Sequence, residues 1–299
     1  MMSLTTWEFW TVFSRWVLYL SMAGAIGGAF NLHHLRRYGL LRQKLLHYTL
    51  GAALIGILAT TVHFFVRVGA VLESGIAGMF DKDIASMMWE SALGDALLIR
   101  TIGLLLLLLA LLLRALVRGH AGEDFELRIF EWLIALGGVV MMAFSFTQTG
   151  HAVEQPFLFQ LALAIHILLT FWWMGSLYPL WLLCHHLPIN DAFQELDLFG
   201  RRAVFAVLTL LGCGLFLSYE LTQWQSLTTS EYGEYLLIKL ALVAAILVLA
   251  AIHKLKLVPR ILHRQSTDFL RNSILTEKII GGGILAMTTI LSTLVGPAH

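Results

Sequence analysis

Eight long apolar segments constrain the fold of this chain more than any other feature of its sequence. They cover approximately residues 9–32, 46–72, 93–117, 129–149, 157–184, 203–224, 234–256 and 274–295. Each has about 20 residues or more, enough for an α-helix to cross about 30 Å of hydrocarbon. With 58% hydrophobic and 13% charged residues among 299, the chain has more apolar surface than a soluble core of this size buries. The sequence therefore predicts an all-α integral membrane protein, a single membrane domain over 1–299 with eight transmembrane helices.

Basic residues are concentrated in one set of loops, which predicts the orientation. These loops and the adjoining segment ends carry Arg36, Arg37, Arg42, Lys44, Arg114, Arg118, Arg128, Arg201, Arg202, Lys254, Lys256, Arg260, Arg264, Arg271 and Lys278. By the positive-inside rule they face the cytoplasm, so we expect both termini on the outer side. The opposite loops are acidic, with Lys82 as their only basic residue. The start of the chain lacks the basic and small-residue pattern of a signal peptide, so we expect the first segment to be retained.

Two parts of the sequence resemble each other at their polar positions. One pattern pairs Glu131, Met141, Thr147 and Gly150 with Glu277, Met287, Thr293 and Gly296, and a second pairs residues 94–100 with 233–239. The repeat predicts two four-helix halves, 1–152 and 153–299. Because each half has an even number of spans, the halves would be parallel and related by an axis along the membrane normal. Transport proteins often bind their substrate where two such halves meet.

Histidines and methionines lie at one depth within the predicted spans. His63 and His166 are each about nine residues from the outer side, roughly 13 Å deep. Imidazole and thioether groups suit a soft ion such as Cu(I), whereas hard cations prefer oxygen. Histidines that bond across helices and methionines that fill gaps are the alternative explanation. The candidate metal ligands are His63, Met141, Met142, His151, His166, Met287 and His299, with His151 and His299 at the outer mouth.

Four cationic residues in the outer half of the spans complicate a simple cation path: Arg15, Arg67, Arg100 and Lys239. They could bind an anion, or pair with Glu90, Asp95, Glu220 or Glu234. Two level histidines with arginines outside them also describe a b-type haem site. In that alternative His63 and His166 are axial ligands, the arginines bind the propionates, and the protein is a membrane oxidoreductase. A membrane anchor or sensor for a periplasmic partner is a third hypothesis.

Other classes of site have little support. Cys184 and Cys213 lie on different predicted helices, so they predict neither a disulfide framework nor a Cys-x-x-Cys metal site. The net charge is +1 and no basic patch interleaved with aromatic residues occurs, so nothing indicates binding to nucleic acid.

Several short motifs carry a resemblance to a known family. They are Thr149-Gly150-His151-Ala152, His166-x6-Trp173-x-Gly175, Phe199-Gly200-Arg201, Tyr232-Gly233, Pro259 and Arg271-x5-Glu277. In their order and spacing they resemble the CopD/PcoD family of bacterial inner-membrane copper resistance proteins. The resemblance is densest over 145–297, and the first half resembles the family mainly in its number of spans.

The resemblance implies eight transmembrane helices in the bacterial inner membrane and copper transport from periplasm toward cytoplasm. It also implies a CopC-type periplasmic copper-binding partner, which would be a separate chain. Together with the basic cytoplasmic loops, we expect both termini in the periplasm and a transport protein that is not an enzyme. His151 and His166 are the histidines that match the family pattern by position. The chain departs from the family at His253, where asparagine is common, and at Gly212-Cys213-Gly214, where a Thr-Gly pair is usual.

Overall fold

Long α-helices form the whole of the regular structure in a computed structural model that describes residues 4–117, 125–222 and 231–295. The main helices are α1 (Thr6–His34), α2 (Gly39–Leu72), α3 (Lys82–Trp89), α4 (Ala92–Val117), α5 (Phe125–Phe144), α6 (Phe157–His186), α7 (Ile189–Thr222), α8 (Glu231–Ile252), α9 (Val258–Arg264) and α10 (Asp268–Thr293). A π-helical turn, His253–Leu257, joins α8 to α9, and three short 3-10 turns follow α2 and α5. The predicted all-α class is confirmed for the described residues.

Helix α1 lies at the centre of the bundle. It packs along α2 and α6 and also contacts α10 and α5. A capping box starts it: the Glu8 amide donates to Thr5 Oγ1 at 3.2 Å, and the Thr5 amide donates to Glu8 Oε2 at 2.8 Å. Its buried residues include the polar side chains of Thr11, Ser14 and Asn31. Protein therefore surrounds much of α1, which allows it to carry polar groups that lipid would not solvate.

Seven helical segments of the described chain are long and apolar enough to cross a membrane. They are Gly39–Leu72, Ala92–Ala115, Ile129–Gln148, Phe157–His186, Ile189–Leu221, Glu231–Arg264 and Asp268–Thr293. The predicted integral membrane fold is thereby confirmed in outline. Helix α1 has 29 residues but is not among the seven. The count of eight spans, the two-fold repeat and the orientation of the termini stay predictions.

Glycines allow α1 and α6 to touch at the middle of the bundle. A Cβ atom added at Gly175 would lie 1.7 Å from the carbonyl oxygen of Ala23, and one added at Gly27 would lie 2.3 Å from the backbone of Gly175. Neither distance is compatible with a side chain, so both positions require glycine. Lipid provides no hydrophobic force that drives helices together, and such close backbone approach supplies the packing contacts instead.

A buried carboxylate connects the loop between α1 and α2 to helix α7. Glu195 is 5% exposed, pairs with Arg37, and accepts a hydrogen bond from the Tyr38 hydroxyl at 3.2 Å. Burial is the main cause that raises the pKa of Tyr38 above its usual value, so this hydroxyl remains a donor at neutral pH. The connection fixes the start of α2 and hence the helix that carries His63.

Candidate metal site

His63 and His166 lie equally far from the ends of their helices. His63 precedes Leu72, the last residue of α2, by nine positions, and His166 follows Phe157, the first residue of α6, by nine positions. At 1.5 Å per residue, each ring is about 13 Å along its helix. The two rings are thus equally far from the ends of their helices, and their equal depth in the membrane stays a prediction.

The ring of His63 is held by helix α1. His63 is 5% exposed, and its Nδ1 lies 2.9 Å from Oγ of Ser14. The Ser14 hydroxyl donates its hydrogen to the carbonyl oxygen of Thr11 at 3.2 Å. The serine oxygen is then the acceptor for Nδ1–H of His63, which leaves the lone pair of the ring on Nε2.

The ring of His166 is held by helix α7. Its Nδ1 lies 3.2 Å from the carbonyl oxygen of Leu210. A carbonyl only accepts, so Nδ1–H is the donor and Nε2 again carries the lone pair. The ring also lies over Gly214, where an added Cβ would be 3.3 Å from Cε1 of His166. Gly214 belongs to the segment Gly212-Cys213-Gly214 in which the chain departs from the family pattern.

Both histidines therefore have the form of a metal ligand with an orienting partner. Histidines that bind metals almost always donate their other ring N–H to an oxygen acceptor, which fixes the tautomer and raises the basicity of the ligating nitrogen. Neither Nε2 hydrogen-bonds to another residue in the described part of the chain. Hydrogen bonds attach His63 to α1 and His166 to α7, so the two rings have separate supports.

The methionines occupy different environments. Met142 is completely buried and packs against Gly103 of α4, where an added Cβ would be 2.9 Å from Met142 Cγ. Met141 and Met287 are partly buried. Across the described ranges, no three side chains of histidine, cysteine, aspartate or glutamate gather as a metal cluster. Methionine sulfur is a ligand that favours Cu(I).

Two predicted ligands at the outer mouth, His151 and His299, lie wholly or partly outside the described residues. The backbone of His151 belongs to a 3-10 turn, Gly150–Ala152, with Gly150 at φ +67°. The side chain of His151 and the whole of His299 lie outside the described residues. Their part in a site stays a prediction. The two cysteines, in agreement with the sequence, form no disulfide.

The cationic residues do not pair with the acidic residues named from the sequence. In the described ranges, Arg15, Arg67, Arg100 and Lys239 form no ion pair. Arg15 donates instead to the carbonyl oxygen of Ser292 at 2.9 Å and to the hydroxyl groups of Thr293 and Tyr19. Arg100, only 4% exposed, donates from Nε to Ser145 Oγ at 3.1 Å.

A second buried polar group was not found by sequence reasoning. Glu277 of α10 is 3% exposed, and its carboxylate accepts from Trp173 Nε1 at 3.1 Å and lies 2.9 Å from His253 Nδ1. Nε2 of His253 lies 2.6 Å from Ser273 Oγ. The group joins α6, the π-helical turn and α10. Trp173 and Glu277 both belong to the motifs quoted above, and a glutamate within an apolar segment is the signal that could have revealed the group.

Comparisons with known proteins agree with this membrane architecture. Residues 4–156 match the family described as "Copper resistance protein D-like, N-terminal domain", and residues 193–291 match "Copper resistance protein D". The family likeness thus extends through the first half, which the sequence motifs had covered only loosely.

A curated relative matches nearly the whole chain. "Inner membrane protein YebZ" of Escherichia coli (strain K12) is 26% identical over 266 residues, which cover 85% of this chain and 86% of that protein. No solved structure matches the chain. Since one family match alone covers half of the sequence and a second covers most of the remainder, the chain belongs to the copper resistance protein D family.

Proposed function

We propose that this protein moves copper ions across the bacterial inner membrane, from periplasm toward cytoplasm. Membership of a copper resistance family and a fold of long apolar helices support transport rather than catalysis. The observation that carries the proposal is the pair of histidines, His63 and His166, each with Nδ1 held by an oxygen and Nε2 open to a ligand. The protein acts in this proposal as a permease and not as an enzyme.

The proposed path begins at His151 and His299 and passes to an intramembrane layer of imidazole and thioether groups. His63, Met141, Met142, His166 and Met287 are the ligands that the sequence offers at this layer. Copper moves as Cu(I), because methionine sulfur and neutral imidazole bind the monovalent ion well. Several weak sites in series let the ion enter without being trapped, as conduction requires.

The proposed topology has eight transmembrane helices with both termini in the periplasm. It includes α1, which is long enough to span and is enclosed by α2, α6 and α10. The basic loop between α1 and α2, with Arg36 and Arg37, then faces the cytoplasm. Two parallel four-helix halves, 1–152 and 153–299, complete this arrangement. The name of the YebZ relative supports placement in the inner membrane.

The proposed donor is a separate periplasmic copper-binding protein of the CopC type. The acidic outer loops favour the approach of a cation, since like-signed charge around a mouth raises the local concentration of the opposite ion. Glu73, Asp81 and Asp83 lie in the segment between α2 and α3 and at the start of α3. They supply this charge next to the predicted mouth.

The test compares histidine variants in cells and in purified protein. We expect His63→Ala and His166→Ala each to reduce copper accumulation and the copper bound per chain under reducing conditions. His263→Ala is the matched control, because His263 is an exposed histidine on α9. Unchanged accumulation and unchanged stoichiometry in both site variants would remove these residues from the path.

An optical spectrum of the same samples distinguishes the copper permease from the haem alternative. A copper permease gives no Soret band. A Soret band that disappears in both His63→Ala and His166→Ala would replace the permease by a haem-carrying oxidoreductase.

A further inference from the structure

Three arginines from three different helices lie near His63: Arg67 is one turn further along α2, Arg15 follows the Ser14 that contacts the ring, and Arg100 belongs to α4. Arg15 of α1, Arg67 of α2 and Arg100 of α4 all act electrostatically on its ring, and Arg15 also acts on Arg67 and Arg100. We call these three residues the outer arginine cluster. Two members of the cluster contact aromatic side chains. Arg15 Nε donates to the Tyr19 hydroxyl at 3.1 Å, and the guanidinium group of Arg100 lies 4.5 Å above the ring of Phe146.

No acidic side chain of the described chain balances this charge. The hydrogen bonds of Arg15 go to a carbonyl and to hydroxyl groups, and Arg100 donates from Nε to Ser145 Oγ. The terminal nitrogens of Arg100 therefore have no hydrogen-bond partner among the described residues, although the residue is 4% exposed. A guanidinium group stays charged in proteins, so burial does not relieve this cost by deprotonation.

The chemistry of the cluster indicates the missing partner. Guanidinium groups present parallel N–H donors that match the two oxygens of a carboxylate or phosphate. The hydroxyl groups of Tyr19 and Ser145 accept hydrogen bonds from Nε of Arg15 and Nε of Arg100, which orients the two guanidinium groups. Water alone would solvate the charge but would leave three like charges close together.

We propose that the outer arginine cluster is a binding site for an oxyanion, a phosphate- or carboxylate-bearing group that enters from the outer side of the membrane. The anion is held by the terminal nitrogens of Arg100 together with Arg67 and the remaining terminal nitrogen of Arg15, because Nη1 of Arg15 already donates to Ser292 and Thr293. This site is distinct from the copper ligands, although it adjoins His63. The proposal does not depend on copper transport.

Thermal unfolding of the purified full-length chain tests the proposal. The protein is kept in a neutral detergent with a copper chelator, and inorganic phosphate is titrated against sodium chloride at constant ionic strength. A ligand that binds only the folded protein raises the unfolding midpoint with its concentration. In a second series, phosphatidylglycerol is added and compared with phosphatidylcholine, whose phosphate carries a neutralising amine.

Arginine variants locate the response. We expect Arg100→Gln and Arg67→Gln to weaken the apparent phosphate affinity by about tenfold or more, which is the loss of one charged hydrogen bond. Arg201→Gln is the matched control, since Arg201 is an exposed arginine that pairs with Asp197 at 3.1 Å. Arg67 is only partly buried, so we expect Arg67→Gln to fold. If Arg100→Gln does not fold, the phosphate response of Arg67→Gln tests the site.

Each outcome decides the proposal. A midpoint that rises with phosphate in the wild type and in Arg201→Gln, but not in the two cluster variants, supports the site. A rise with phosphatidylglycerol alone, lost in the same variants, also supports it and identifies a lipid headgroup as the source. No rise with either ligand, or an equal rise in all variants, overturns it. Because copper is chelated throughout, failure here is distinguishable from failure of the permease proposal.

Discussion

Replacing Glu277 by alanine should destabilise the bundle severely. The change removes the acceptor of Trp173 Nε1–H at 3.1 Å and the partner of His253 Nδ1 at 2.9 Å. Both partners stay buried, at 7% and 9% exposure. A buried donor left unsatisfied costs about 1–3 kcal/mol, and loss of one member of a buried pair costs about 3–5 kcal/mol. We therefore expect a loss of about 3–5 kcal/mol in the free energy of unfolding.

Glu277→Gln keeps the shape of the side chain at this position but removes its negative charge. The amide oxygen still accepts from Trp173, and the amide N–H group can donate to His253 when the ring carries its hydrogen on Nε2, next to Ser273. We expect this variant to lose only about 1 kcal/mol, the net worth of a typical hydrogen bond. Equal losses in the two variants would show that His253 is held as an imidazolium, which cannot accept a hydrogen bond.

Chemical unfolding in detergent micelles, followed by circular dichroism, measures both changes. Helix content is the better signal, because Trp173 belongs to the network and its fluorescence would respond locally. Glu234→Ala is the control, since Glu234 is an exposed glutamate in the first turn of α8. If Glu277→Ala unfolds within about 0.5 kcal/mol of the control, the buried network contributes nothing to stability and the reasoning is wrong.

Two further predictions follow from the helix contacts. Gly175→Ala should lower the free energy of unfolding by about 1–3 kcal/mol, because the new Cβ would lie 1.7 Å from the Ala23 carbonyl oxygen. Thermal unfolding measures this loss, and Gly212→Ala is the control because its Cβ would meet nothing within 4 Å. Ser14→Ala should weaken Cu(I) binding by about tenfold to a hundredfold, the usual effect of losing a partner that orients a metal ligand. Competition with a Cu(I) chelator measures that affinity, and wild-type binding in Ser14→Ala would contradict the role assigned to His63.

Hydropathy predicts where the helices are better than where they end. The apolar segment 157–184 corresponds closely to α6, and the segment 46–72 ends with α2 at Leu72 but begins seven residues after it. Helix α7, however, begins at Ile189, well before the apolar segment that starts at 203. The additional turns carry Glu195, which contacts Arg37 and Tyr38 in the loop after α1. Polar helix that extends beyond the hydrocarbon has no length constraint from the membrane, so the spans alone could not predict it.

The candidate site was predictable in its residues but not in its contacts. His63 and His166 stand out because an ionisable group within a span is costly and usually functional. The acceptors that orient them, Ser14 and the Leu210 carbonyl, come from other helices at sequence separations of 49 and 44. Spacing along one helix says which face a residue occupies but not which helix lies opposite. The same limit hid the contact between Glu277 and His253.

The charge around His63 links copper binding to the anion. The positive charges of the outer arginine cluster oppose a Cu(I) ion at His63, because like charges in a medium of low effective dielectric constant repel strongly. An opposition of about 1.4 kcal/mol already lowers the affinity tenfold. A singly charged oxyanion on the outer arginine cluster cancels about one of the three positive charges and so strengthens copper binding at His63. By reciprocity, copper at His63 strengthens anion binding by the same factor. The proposed copper path and the proposed anion site are therefore thermodynamically coupled where they meet at His63.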